Sequence, residues 1–139
     1  MKADKKKLRH IELIVYHWSY TIALSKDTIK ALNKPEYITI RVNPTLCSIA
    51  VFPCSKNDPM SFEVPPDLFT NHKCCFRIYS KGFKEWIQML IGGKNKTTYA
   101  IEGKYSEKNN LVYFPIGNAR IRDLHNREYN ECRFQPISS

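Results

Sequence analysis

The sequence lacks long apolar runs, and this absence argues against a membrane-spanning protein. No stretch approaches the ~20 consecutive apolar residues that a helix needs to cross a bilayer. The basic N-terminus leads into HIELIVYHWSY, which is interrupted by charge and histidine and has no small-residue cleavage site, so it does not resemble a signal peptide. We therefore expect a cytoplasmic protein with no membrane partner.

The cysteines lack the arrangement of a disulfide framework. There are five, an odd number, without regular spacing, so we expect reduced and mostly buried thiols. His72 lies close to Cys74 and Cys75, but no second ligand pair stands at zinc-finger spacing. We predict no metal and no cofactor.

Sequence signatures of catalysis are also missing. No glycine-rich phosphate loop and no nucleophile elbow is present, and the four histidines are scattered. Cys74, preceded by His72, is the best candidate for a nucleophile, and a thiol enzyme would require it to be unusually reactive. We predict that the protein is not an enzyme.

Positive charge is what the sequence has in excess. The net charge is +9 over 139 residues. Residues 1–9 carry five basic groups and one acid, whereas residues 10–119 hold 13 basic and nine acidic side chains. The folded body is therefore mildly basic in its own right, which favours polyanionic partners through counterion release. The alternative interpretation is a solvated surface with a solubilising basic arm.

Two passages of the chain follow the same pattern. They are Tyr20 to Cys54 and Phe76 to Ile116, and each predicts a strand, a Ser-Lys pair that opens a short helix, and two strands joined by a polar turn. A unit of about 40 residues buries little surface alone, so two copies are expected to complete one core.

The domain organisation follows from this duplication. We predict a disordered basic arm over residues 1–10 and one α+β domain over residues 11–139. The domain is expected to contain pseudo-repeats at about 11–54 and 74–118, followed by a C-terminal tail. Together they would form a small barrel-like sheet from two tandem β-α-β-β units.

Local patterns predict the individual elements. Ser25 and Ser80 are expected to cap the two helices, and Gly92-Gly93 should end the second. Phe83 and Trp86 are expected in the core because they recur at helical spacing. Two further predictions concern longer segments: a strand from Tyr99 to Tyr105 and a short helix from Ala119 to Tyr129.

The segments TIALSKDTIKALN, PEYITIRVN and CSIAVFP resemble the AbrB/MraZ superfamily of swapped-hairpin DNA-binding domains. Leu24-Ser25 stands at the strand-to-helix junction, Asp27 at the acidic first-turn position, and Leu32-Asn33 where the family ends its helix. The segment IYSKGFKEWIQMLIGG in the second unit is more loosely similar. The tandem arrangement is similar to MraZ, in which one chain contains two such units.

This resemblance implies a nucleic-acid-binding regulator whose partner is double-stranded DNA, with RNA as a possible ligand. It also implies a monomer or a homodimer, since two units in one chain can pair internally. The family's Gly-Arg element ahead of the helix is absent, where HWSYTIALS stands instead. That departure motivates an alternative from another class, a protein-protein interaction module such as an inhibitor encoded by a mobile element.

The candidate nucleic-acid-binding residues are lysines and arginines that would contact phosphates without reading base sequence. They are Lys5, Lys6, Lys7 and Arg9 on the arm, Lys26, Lys30, Lys34 and Arg41 on the first unit, and Lys81 and Lys84 on the second. The alternative is that the lysine row is the solvated side of an amphipathic helix. Four aromatic or histidine side chains offer possible stacking surfaces, although core packing is favoured for strand residues: Tyr16, His17, Trp18 and Tyr20.

Overall fold

The computed structural model describes residues 10–16, 20–70, 75–92 and 97–122. Strands dominate this part of the chain: β1 (Glu12–Val15), β2 (Thr21–Ser25), β3 (Tyr37–Asn43), β4 (Ser48–Pro53), β5 (Ser61–Glu63), β6 (Cys75–Tyr79), β7 (Thr98–Glu102), β8 (Lys104–Ser106), β9 (Leu111–Pro115) and β10 (Ala119–Arg122). The α-helices are α1 (Lys26–Ala31) and α2 (Lys81–Ile91), and a 3-10 turn covers Ile116–Asn118. The predicted arm apart from His10, and most of the predicted tail, lie outside the described residues. His10, which was predicted to be disordered, is hydrogen-bonded to Asp27 and Ser25.

The strands form two antiparallel five-stranded sheets. Sheet 1 has the order β10-β7-β1-β2-β6, and sheet 2 has the order β5-β3-β4-β9-β8. Within the described residues neither sheet closes on itself. The fold is therefore mixed, with mostly strand and few helices, which agrees with the predicted α+β class.

The main core lies between the two sheets. Strands β4 and β9 of sheet 2 alternate buried and partly exposed side chains, whereas β1 and β2 of sheet 1 are buried on both faces. Leu13 and Ile22 of sheet 1 and Ile40 and Val51 of sheet 2 are fully buried in one cluster. Both helices add to this cluster, through residues such as Ile29 of α1. A second, smaller cluster contains alternate residues of sheet 1 strands: Ile14, Tyr16, Ala23, Cys75 and Ala100.

Pairs of strands from the two halves of the chain meet in both sheets. In sheet 1, β2 pairs with β6 from Thr21 opposite Tyr79 to Ser25 opposite Cys75. In sheet 2, β4 pairs with β9, with Val51 opposite Val112. The two halves therefore share one core through hydrogen-bonded strands as well as through side-chain packing.

The hairpins of sheet 2 have turns of equal length. Residues 44–47 join β3 to β4, and residues 107–110 join β8 to β9. The last residue of each turn has a left-handed backbone, with φ of 50° at Cys47 and 51° at Asn110. Asparagine tolerates this conformation better than cysteine does, yet both turns adopt it.

The predicted single strand from Tyr99 to Tyr105 is wrong in one respect. The structure divides it at Gly103 into β7, which belongs to sheet 1, and β8, which belongs to sheet 2. A Cβ atom at Gly103 would lie 2.5 Å from Cδ2 of Phe114. Only glycine leaves room for this aromatic ring at the point where the chain passes between sheets.

Two other predictions are corrected by the structure. Residues Ala119–Arg122 form β10 rather than the start of a helix, because they pair with β7. Trp86 is 40% exposed, whereas Phe83 is buried as predicted. Helix α2 has a narrow apolar face centred on Phe83 and Ile87, and Trp86 lies at its margin.

None of the helices among the described residues is long and apolar enough to cross a bilayer.

Candidate nucleic-acid interface

Lys26 and Lys30 are held on the solvent side of α1. This helix has only six residues, and its buried positions are Thr28 and Ile29. Lys30 is exposed and Lys26 is half-buried. The predicted pair therefore shares a short helix that is anchored by one buried isoleucine, with Asp27 close by in its first turn.

Ser25 begins this helix but does not cap it with its side chain. Its hydroxyl accepts a hydrogen bond from the Glu12 amide at 3.1 Å and donates one to the His10 carbonyl. The amide of His10 in turn donates to the Asp27 carboxylate at 3.0 Å. These contacts connect α1 to His10 and to the start of β1. Ser25 therefore stands at the predicted N-cap position but makes no side-chain cap bond, whereas Ser80 does accept from the Phe83 amide at 3.2 Å.

Lys34 follows the end of α1 and lies against an aromatic ring. Its Nζ atom is 4.6 Å from the centroid of Phe69, a distance at which a cation and a ring attract each other. The side chain also lines a cavity of about 540 Å³ that Glu36 and Glu63 line as well. Two acidic residues beside one lysine make this cavity unfavourable for a phosphate group.

Arg41 lies on the outer face of sheet 2, where three neighbours orient its guanidinium group. One nitrogen donates to Oγ1 of Thr39 at 2.6 Å, and the other is 3.6 Å from a carboxylate oxygen of Asp58. The guanidinium carbon is 5.8 Å from the centroid of the Phe52 ring. The Asp58 carboxylate therefore offsets part of the positive charge of Arg41, and the three contacts hold its guanidinium group on the outer face of the sheet.

Across the same face, the strand register aligns Arg41 with three other side chains. Arg41 is opposite Ala50, Ala50 is opposite Tyr113, and Tyr113 is opposite Lys104. Phe52 lies two residues beyond Ala50 on the same face. We call Arg41, Ala50, Phe52, Lys104 and Tyr113 the aromatic face of sheet 2.

Lys81 and Lys84, at the start of α2, lie near the exposed ring of Tyr20, which precedes β2. The Nζ atoms of both lysines lie 5.6 Å from the centroid of the Tyr20 ring, and this tyrosine is 50% exposed. Lys84 departs from the expectation of a surface contact because it is only 5% exposed. Burial lowers the pKa of the Lys84 ammonium group, and the neighbouring Glu85 carboxylate opposes this effect.

The predicted residues do not gather on one element. Lys26 and Lys30 belong to α1, Lys34 to the loop after it, and Lys81 to α2, while the arm residues lie outside the described part of the chain. Phe52, Tyr113 and Lys104 were not identified as candidates from the sequence. Alternation along β4 and β9 places these aromatic residues on the outer face, but only cross-strand register shows that they are neighbours.

The aromatic residues near Tyr20 show both predicted environments. Tyr16 is buried, as favoured for strand aromatics, whereas Tyr20 is half-exposed. His17 and Trp18 lie outside the described residues.

The described residues offer no cluster of metal ligands, and the cysteine among them with a shifted pKa is not activated. No group of three or more His, Cys, Asp or Glu side chains among the described residues is arranged to hold a metal ion. Cys75 is buried as expected, but Cys47 is exposed. Burial, and secondly Asp58, raise the pKa of the Cys54 thiol, while Arg41 lowers it; a raised pKa disfavours a nucleophilic thiolate. The nucleophile candidate Cys74 lies outside the described residues.

No protein-family model matches the chain, no curated protein matches it, and no solved structure matches it.

Proposed function

We propose that this protein is a non-enzymatic regulator that binds nucleic acid, with double-stranded DNA as its main ligand. The observation that carries the proposal is the excess of positive charge, +9 in total, which extends from the arm into the folded body. Phosphate groups attract such a surface at long range and release counterions when it binds. The exposed lysines Lys30 and Lys81 give the folded body contacts of this kind.

The same proposal includes an architecture of two tandem β-α-β-β units that interleave like swapped hairpins. The direct pairing of β2 with β6 and of β4 with β9 supports it, because equivalent strands of two copies would meet at a local dyad. The equal turns that end at Cys47 and Asn110 support it further. An inserted β7 distinguishes the second unit from the first.

A gel-shift assay with duplex DNA tests the function. We expect the intact chain to shift the duplex, and the combined Lys26→Gln and Lys30→Gln substitutions to weaken binding several-fold, since each removes a phosphate contact. Substituting Lys5, Lys6, Lys7 and Arg9 by Gln should weaken binding further. Lys56→Gln, at an exposed lysine of the β4–β5 loop, is the matched control. Absence of any shift at low salt would contradict the proposal.

A second candidate function, docking on a protein partner, has one specific observation in its favour. Among the described residues β6 is an edge strand of sheet 1, and its Tyr79 side chain is 74% exposed. Edge strands can accept a strand from another chain. Pull-down after nuclease treatment separates the two functions: a stoichiometric protein that survives nuclease favours docking.

A further inference from the structure

The aromatic face of sheet 2 places two rings, Phe52 and Tyr113, on adjacent strands, whereas the lysines at the start of α2 lie around the single ring of Tyr20. Phe52 and Tyr113 are partly exposed, whereas the neighbouring inward residues Val51 and Val112 are fully buried. Ala50, opposite Tyr113 and two residues before Phe52 on β4, contributes only a methyl group beside the two rings. The rings of Phe52 and Tyr113 therefore remain partly accessible, although the Arg41 guanidinium lies over Phe52 and Thr39, opposite Phe52, is fully buried.

We propose that the aromatic face of sheet 2 binds an unpaired segment of single-stranded DNA by stacking bases on Phe52 and Tyr113. This inference rests on the proposed function and deepens it by naming the form of nucleic acid that this face accepts. Phe52 and Tyr113 are diagonal neighbours on adjacent strands, a relation that places Cβ atoms about 7 Å apart. Successive bases of a flexible strand can stack on rings at this separation.

Charge complementarity supports the same occupant. Arg41 and Lys104 end the row on opposite strands, three strand spacings apart, or roughly 14 Å. Both side chains are exposed, so phosphates on either side of the stacked bases can reach a cation. Asp58 offsets part of the Arg41 charge, and Glu63 lies on β5 opposite Tyr37, beyond the rings.

Two alternative occupants fit this face less well. Bases in a duplex are already stacked on each other and present only their edges to a protein, so they cannot lie on Phe52 or Tyr113. A second copy of the chain docked face to face about a two-fold axis would bring Arg41 and Lys104 of one copy close to the same cations of the other. Like charges so juxtaposed disfavour that dimer.

Fluorescence anisotropy with a labelled single-stranded oligothymidine tests this proposal on the full chain. We expect Phe52→Ala and Tyr113→Ala each to weaken binding about 10-fold, because base stacking on one ring contributes that much affinity. Phe52→Leu and Tyr113→Leu keep an apolar side chain and lose the ring, so they serve if the alanine variants unfold. The matched control is Tyr79→Ala, which removes a 74% exposed tyrosine from sheet 1 and should leave affinity unchanged.

The outcomes separate this inference from the function on which it rests. Loss of oligothymidine binding in the leucine variants, with duplex binding retained, supports the inference. Unchanged oligothymidine binding in those variants overturns it and leaves the proposed function intact. Binding of oligouridine RNA but not of oligothymidine also overturns it. The inference is likewise overturned if the leucine variants change the molecular mass of the protein in light scattering while their affinity for oligothymidine stays the same, because the face would then contact a second copy of the chain. Failure of the unmodified chain to bind either single strands or duplex overturns both.

Discussion

Lys84 on α2 places an ammonium group in a buried environment beside an aromatic ring. Its Nζ atom lies 5.6 Å from the Tyr20 ring centroid, so part of the cost of burying the charge is offset by cation-ring attraction. Burial is nevertheless the dominant influence and lowers its pKa from the ordinary value of 10.5. The unfolded chain therefore holds this proton more tightly than the folded protein does.

This difference predicts how stability changes with pH. Below the lowered pKa the folded state carries the full penalty of the buried charge, and the penalty disappears as pH rises towards 10.5. We expect Lys84→Met to increase the free energy of unfolding at neutral pH and to lose this advantage progressively at alkaline pH. Urea unfolding of both proteins across that range measures the difference.

Lys81→Met is the control for this experiment. Lys81 contacts the same Tyr20 ring at 5.6 Å but is exposed, so its substitution should produce no comparable pH-dependent gain. A constant difference in unfolding free energy between the unmodified chain and Lys84→Met at every pH would show that burial of the charge does not control the effect.

Ser25 and Ser80 show how far local sequence predicts the role of a residue. Both precede a lysine and both begin a helix, and the position of each helix start was predictable from the Ser-Lys pair. Only Ser80 caps its helix with its side chain. Ser25 instead contacts Glu12 and His10, in addition to the hydroxyl of Thr28 in the first turn. The partners 13 and 15 residues away cannot be read from the sequence around a serine.

Gly103 separates two strands that the sequence pattern predicts as one. In the β3–β4 hairpin Ile40 is opposite Val51, whereas the β8–β9 hairpin brings Gly103 against the Phe114 ring. A large ring over a missing side chain fills similar space to two medium side chains. Alternation along the chain could not predict this, since the volume exchange involves residues from two strands.

Gly103→Ala is expected to destabilise the protein by about 1–3 kcal/mol, because its Cβ would meet Phe114 ring atoms at 2.5 and 2.6 Å and the Tyr113 carbonyl oxygen at 2.9 Å. Chemical denaturation measures this change. Gly117→Ala is the matched control, since nothing lies within 4 Å of the added atom. Combining Gly103→Ala with Phe114→Val should cost less than the sum of the two single changes.

Additivity of those two substitutions would contradict direct packing between Gly103 and Phe114. Equal destabilisation by Gly103→Ala and Gly117→Ala would do the same, because the account attributes the cost to the ring and not to loss of glycine itself.

Many of the strands and helices were predictable from the sequence, but the order of the strands within each sheet was not. Alternating residues predicted β3 and β4, and helical spacing followed by Gly92 predicted α2 with its end. Strand β7 pairs with both β10 and β1, and its partners in β1 are nearly 90 positions away in the sequence. Such contacts depend on the complete core and leave no local signal.

The candidate site divides in the same way. Positive charge on the helices is a property of composition and was predictable, whereas the aromatic face of sheet 2 depends on the register of four strands. Arg41 was identified from the sequence as a cation, but its association with Phe52, Tyr113 and Lys104 required the three-dimensional arrangement.

The salt dependence of nucleic-acid affinity tests the central claim most directly. Affinity of the full chain for a duplex should fall linearly on a logarithmic plot against salt concentration, with a slope of about −0.9 for each phosphate neutralised. The combined Lys26→Gln and Lys30→Gln substitutions should make that slope shallower, and Lys56→Gln should leave it unchanged. Affinity that does not respond to salt, or no binding at low salt, would contradict the account.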